Sequence, residues 1–284
     1  MHPLGVPSHL FRGSPAEAAA ACRQHGLSCV QLTPGFPGLS FHEPGLFTPE
    51  RCRRMSDPFR EAGVAVACVA VQGNLMDPDL DRRHRNLLRL HALLRHARDF
   101  GTERVLVESG SLSPKSPWAP YPPNRSREAW VELRIILAEA LRVAADHGAT
   151  LLLKAEPSHV LATAEDCRRL RDELGSPCLG FIMDPACFLA ECQPGELSEE
   201  MVWLFERLGR WAVVAHAKDL RFDKGGATLP RAGRGVLDYG LFVRLLGRWQ
   251  PGAPIILEHL QPGEVDAAVA HVNRFVAQAA PGLI

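Results

Sequence analysis

The 284-residue chain carries 32 Lys+Arg against 32 Asp+Glu, with 46% hydrophobic and 23% charged residues. That balance is globular rather than disordered and offers no basic surplus for duplex DNA, and no apolar run reaches the about 18 residues needed to span a membrane. With no basic segment followed by a long apolar stretch at its start, the chain reads as soluble and cytoplasmic, with no nucleic-acid or membrane partner.

A short apolar run, LGV (4–6), comes first. Ser14-Pro15-Ala16-Glu17 is a capping box with proline at the first helical position, opening a helix that stops at Gly26. SCVQL (28–32) follows as a strand. Thr48-Pro49-Glu50 opens a second helix ending at Gly63, ahead of VAVACVAV (64–71). The valine-rich run does not alternate, as expected of a parallel strand covered on both faces. A helix through LLRLHALLRHARDF reaches Gly101 and precedes the strand RVLVE (104–108). The clearest helix spans 126–147, where Leu133, Ile136, Leu137, Ala140, Leu141 and Ala144 mark one face and Gly148 ends it.

LLLKAE (151–156), a helix from Thr163 to Gly175, and CLGFIMD (178–184) continue the rhythm. A helix from near Ser198 to Gly209 precedes WAVVAH (211–216); Asp238 caps a helix to Gly247 before PIILE (254–258). The last helix runs from about Glu264 to Ala279. Eight strands alternating with eight helices mean a parallel sheet of β-α-β units. The expected fold is a single (β/α)8 TIM barrel over residues 1–284, with the active site at the C-terminal ends of its strands. The competing architecture, a doubly wound open sheet, lacks its G-x-G-x-x-G turn here, and no Walker A motif is present. Two loops after strand C-termini are long, 33–47 and 109–126; they read either as lids with aromatic walls or as plain surface connections. The eight cysteines form no C-x-x-C pair and read as buried reduced thiols.

Four consecutive late strands each end in a metal-binding residue: Glu156, Asp184, His216 and Glu258. In a barrel those ends converge at the mouth. Three carboxylates and one imidazole favour Mn²⁺, with Mg²⁺ or Co²⁺ as further candidates, and suit a closed tetrahedral zinc site less well. A lone carboxylate at a strand end is often a helix cap or an ion-pair partner; four in register are harder to explain that way.

KAEPSH (154–159), FIMDPAC (181–187), AHAKDL (215–220), GRGVLDY (233–239) and ILEHL (256–260) give the chain its resemblance to the xylose-isomerase-like barrel superfamily. That group includes sugar-phosphate isomerases and epimerases, ketose 3-epimerases, inosose dehydratases and endonuclease-IV-like proteins. The resemblance implies that Glu156, Asp184, His216 and Glu258 hold one divalent ion, Zn²⁺ included among those accommodated. It further implies that Glu156 and Glu258 are the catalytic acid and base. The expected activity is a metal-dependent sugar or sugar phosphate isomerase or epimerase working through an enediolate. A dehydratase of the inosose or dehydroshikimate type, a non-catalytic sugar-binding barrel and a DNA-repair nuclease stand as alternatives. Many relatives read Asp-x-x-His on the sixth strand; Cys187 stands there instead, which weakens the ketose 3-epimerase and nuclease readings.

Around these four, His159 is either a substrate contact or a helix cap, and Cys187 either lines the pocket or packs. Lys218 either meets a substrate oxygen or phosphate or is an exposed loop lysine. Arg221 and Arg234 either bind a carboxylate or phosphate in bidentate fashion or are surface cations. Asp219 braces its loop. Lys154 shares the inward parity of Glu156, so it is expected to pair with an inward carboxylate. The partner class is a small polyhydroxylated substrate; a homo-oligomer is compatible with everything above.

Overall fold

The computed structural model describes residues 1–39, 44–70 and 73–278. Among these residues, eight parallel strands close into a barrel, which excludes the open doubly wound sheet. The barrel strands are β1 (Leu4–Pro7), β2 (Cys29–Leu32), β3 (Ala65–Ala70), β4 (Arg104–Glu108), β5 (Thr150–Lys154), β6 (Leu179–Met183), β7 (Val214–Ala217) and β10 (Ile255–Leu257). Each pairs with its chain neighbour, and β10 closes the ring on β1 through Leu4↔Ile255 and Gly5↔Ile256. Helices α1 (Pro15–Gln24), α2 (Pro49–Glu61), α3 (Leu80–His96), α4 (Arg127–His147), α5 (Ala164–Leu174), α7 (Leu197–Leu208), α8 (Tyr239–Trp249) and α9 (Val265–Gln278) surround it.

Local chemistry sets these boundaries. Ser14 Oγ accepts from Glu17 N while Glu17 Oε2 accepts from Ser14 N at 2.7 Å, so the capping box starts α1 as its sequence dictates. Gly148 ends α4 in the left-handed region at φ 62°, which a residue with a Cβ resists. Inside the barrel, Cys29, Cys68, Leu106, Leu152, Ile182, Val214 and Ile256 form an apolar plug. A larger core fills the space between strands and helices. The plug closes the lower barrel and leaves the inward positions nearer the C-terminal ends free for polar side chains.

Four features depart from the sequence reading. Residues 209–211 form a 3₁₀ turn, so β7 begins at Val214 instead of residue 211. α8 passes through Gly247 to Trp249, because a glycine inside a well-packed helix costs only about 1 kcal/mol. A hairpin of β8 (Arg221–Asp223) and β9 (Gly226–Thr228) follows β7, and a one-turn helix α6 (Pro185–Phe188) follows β6. Val71, residues 40–43 of the first long loop and Ala279, all included in the sequence reading, lie outside the described residues. Among the described residues, no helix is long and apolar enough to cross a membrane.

Candidate functional site

Period-two alternation along the strands carries one polar side chain after another to the barrel mouth. Gln31 lies two residues beyond the plug residue Cys29, Glu108 beyond Leu106, Lys154 beyond Leu152, Asp184 beyond Ile182, His216 beyond Val214 and Glu258 beyond Ile256. Above them opens a cavity of about 900 Å³ whose wall includes Gln31, Glu108, Lys154, Glu156, His216, Lys218 and Glu258. Its volume suits a small-molecule site.

Asp184, His216 and Glu258 each offer one ligand atom, all within 4.8 Å of one another. His216 Nε2 donates to Gln31 Oε1 at 2.9 Å, so in a neutral ring Nδ1 carries the lone pair. That nitrogen lies 3.2 Å from Glu258 Oε2 and 3.9 Å from Asp184 Oδ2. His216 Nδ1 has no hydrogen-bond partner among the described residues, and Asp184 Oδ2 is also met by an ammonium group, Lys218 Nζ at 2.9 Å. A cation between these acceptors turns mutual repulsion into coordination. Two carboxylates and one imidazole are a donor set for a divalent metal, with coordination positions left over for water or substrate.

Glu156 stands beside this group instead of within it. Its Oε1 is taken by Lys154 Nζ, and its Oε2 accepts from Cys187 Sγ at 3.4 Å. Lys154 also lies 3.4 Å from Glu108 Oε1 and 4.0 Å from Asp184 Oδ2, which gives the buried lysine its inward carboxylates. Lys218 is buried as well, 1% exposed, with Nζ 2.9 Å from Asp184 Oδ2 and 3.0 Å from Cys187 Sγ. An exposed loop lysine is therefore excluded at that position.

Four carboxylates (Glu108, Glu156, Asp184, Glu258) against two ammonium groups leave two negative charges unmatched, the charge of one divalent cation. Burial works to raise the Glu258 carboxyl, but a protonated His216 beside it and the Lys154 and Lys218 ammonium groups outweigh burial and hold the group well below the usual carboxylate range. Burial raises Glu108 above its ordinary value, with Lys154 opposing. Burial also drives the Cys187 thiol well up, so its S–H donates to Glu156 while the sulfur accepts from Lys218.

His159 lines the cavity, 1% exposed, with burial pushing its imidazole down to about 4. It does not cap α5; Thr163 does, accepting from Asp166 N. Trp118 of the second long loop also lines the cavity and packs on His159 at 5.0 Å between ring centroids. Asn124 and Arg125 pin that loop: Asn124 Nδ2 donates to Ser158 O at 2.7 Å, and Arg125 to His159 O and Pro157 O.

Arg221 and Arg234 are exposed and do not line the cavity; Arg221 pairs with Asp223 across 3.2 Å. Asp219 braces its loop by accepting from the backbone N–H groups of Leu220, Gly233, Arg234 and Leu237. Gln31, Glu108 and His259 are site residues that the sequence reading passed over. Glu108 ends an apolar strand as Glu258 does, and Gln31 is a polar break at inward parity; both signals were present. His259 sits at φ 56° with Nδ1 on Leu229 O, tying the residue after Glu258 to the segment that follows the hairpin.

The family model described as xylose isomerase-like TIM barrel matches residues 19–276. Among solved structures, a xylose isomerase domain protein from Planctomyces limnophilus superposes with a TM-score of 0.75 at 16% identity, covering 99% of each chain. A xylose isomerase-like TIM barrel protein from Mycobacterium smegmatis in complex with magnesium gives 0.74 at 15% identity, covering 98% of each. The 3-keto-D-glucoside 4-epimerase of E. coli gives 0.69 at 17%, covering 96% of this chain and 100% of that one. No curated protein matches the chain.

Proposed function

The chain belongs to the xylose isomerase-like TIM barrel family, and from that premise we propose that it is a divalent-metal-dependent sugar isomerase or epimerase. The observation that carries this reading is the meeting of Asp184, His216 and Glu258 within 4.8 Å at the foot of the cavity, with Glu156 alongside. The magnesium complex and the sugar epimerase among its structural neighbours support it.

Asp184, His216 and Glu258 would hold the ion. Bound there, Mn²⁺ or a similar cation supplies Lewis-acid polarisation of a carbonyl and its neighbouring hydroxyl, which acidifies the C–H between them. Glu156 and Glu258 would take that proton and return it. Return to the opposite face inverts the carbon; return to the adjacent carbon moves the carbonyl. Lys154 keeps Glu156 in its ionised, proton-accepting form by pairing with it. Lys218 fixes the Asp184 carboxylate from the other side and meets Cys187, so neither of those groups is free to turn. The apolar plug beneath excludes water from below.

The test is incubation of the purified protein with Mn²⁺ and free or phosphorylated ketoses in D₂O, followed by NMR. Deuterium entering at the carbon beside the carbonyl, abolished by chelation and restored by Mn²⁺, is the expected result. Turnover without exchange from solvent, or indifference to chelators, overturns the mechanism.

A further inference from the structure

Seven large apolar side chains are exposed among the described residues, and four of them lie on two neighbouring helices: Leu80 and Leu88 on α3, Val131 and Ile135 on α4. Between these helices runs a groove of about 610 Å³, lined by Leu87, Val131, Ile135 and Ile136. Single exposed apolar residues are ordinary on a surface, whereas a contiguous group of them marks a place where something docks.

The spacing along α4 says what fits there. Glu128, Val131, Ile135, Ala138 and Arg142 are all exposed. They follow one another in alternating steps of three and four residues, the spacing of a coiled-coil seam. Glu128 and Arg142 each lie seven residues, about two helical turns, from Ile135, so an acid and a base stand at equal distances on either side of an apolar centre. Reversed end for end about Ile135, the strip matches itself. Ile135 meets its own copy, Val131 falls beside the small Ala138, and Glu128 faces Arg142, once on each side of the twofold. A parallel arrangement would instead set like charges against each other at both ends. Neither Glu128 nor Arg142 has an ion-pair partner among the described residues, whereas Glu132 and Arg134, just off the strip, are matched by Arg83 and Glu173.

We propose that the α3–α4 face joins two copies of this chain across a twofold axis at Ile135, with the second copy's α4 lying antiparallel to the first. The pairing is independent of the chemistry at the barrel mouth, since no residue of α3 or α4 lines that cavity.

The experiment is sedimentation velocity of the full chain across a dilution series. The parent is expected to sediment as a dimer with a dissociation constant of about 1 μM or tighter. Ile135→Arg, which brings two like charges onto the axis, should raise that constant at least about 100-fold. Glu128→Arg and Arg142→Glu should each weaken pairing about tenfold, because each sets like charges together on both sides of the twofold. The double exchange Glu128→Arg/Arg142→Glu should return to within about threefold of the parent. That rescue singles out a second copy, because the surface of any other protein would not be reversed along with this one. Every replaced side chain is exposed, and thermal midpoints near that of the parent confirm that the variants fold. A parent that stays monomeric at the highest concentration reached, a dimer indifferent to Ile135→Arg, or a double exchange as weak as its single members each overturn the inference.

Discussion

His216 gives its Nε2 proton to Gln31 across 2.9 Å, and that one bond decides which of its nitrogens faces Asp184 and Glu258. The glutamine fixes the ring orientation of His216. Partners of this kind are worth about 10- to 100-fold in metal affinity. Gln31→Leu should therefore weaken Mn²⁺ binding by about that factor in a calorimetric titration while leaving the far-ultraviolet circular dichroism unchanged. Unaltered affinity would remove Gln31 from the site.

Glu258 and Glu156 should separate in their effects. Glu258→Gln removes a donor from the group of three and should cost at least about 100-fold in Mn²⁺ affinity as well as rate. Glu156→Gln, whose carboxylate is held by Lys154, should lower kcat by about 10²- to 10⁴-fold while the metal dissociation constant moves only a few-fold. Equal losses of metal in the two variants would put Glu156 among the ligands.

Lys154 lies among three carboxylates, so removing its charge strands them. Lys154→Met should destabilise the metal-free protein by about 3 kcal/mol or more in urea unfolding, the usual cost of breaking a buried pair from one side. Adding Glu156→Gln should return at least about 1 kcal/mol of that loss. Strict additivity of the two changes would show that the pair is not coupled.

Acid sensitivity should carry the mark of His159. Burial lowers its pKa from 6.5 to about 4, so on acidification the unfolded chain takes up the proton first. The folded state is unaffected above pH 6.5 and loses stability as pH falls from there to about 4, by about 3 kcal/mol in all. His159→Asn should flatten most of that window when urea midpoints at pH 7 and pH 4.5 are compared. An unchanged slope would mean that the imidazole is not desolvated as described.

Asp219 and Gly235 test the loop after β7. A Cβ on Gly235 would come within 2.3 Å of Leu220 O and 2.4 Å of Asp219 Oδ1. Gly235→Ala should cost about 1–3 kcal/mol of stability, because the contacted atoms belong to backbone and to a carboxylate already holding several N–H groups. A neutral result in thermal unfolding would show that the loop yields freely.

Much of the fold was legible because periodicity and caps are local. Ser14, Thr163 and Gly148 each announce a helix end within a few residues of themselves, and the apolar runs between them had only a parallel sheet to enter. The strand-end acids were legible for the same reason: Asp184 and Glu258 each break an apolar run at its last inward position. The hairpin at 221–228 was not, since a three-residue strand of Arg, Phe and Asp carries no pattern long enough to separate from a loop. The pairing of Lys154 with Glu156 beside the Asp184–His216–Glu258 group was equally invisible, although the lysine's inward parity was clear. Parity names the face of a strand; which carboxylate an ammonium group reaches depends on distances across neighbouring strands. Lys218 kept two readings open for a related reason: its position just past a strand suggests a loop, whereas its side chain turns back into the barrel.

The clamp of Asn124 and Arg125 on the 157–159 turn bears on how fast the cavity can work. A wall fixed by the chain's own hydrogen bonds has already surrendered its conformational entropy during folding, so an arriving molecule pays none of it. Capture then resembles entry into an open vessel more than the shutting of a door. Ordering of this wall therefore adds no cost of its own to the entry of a molecule into the cavity.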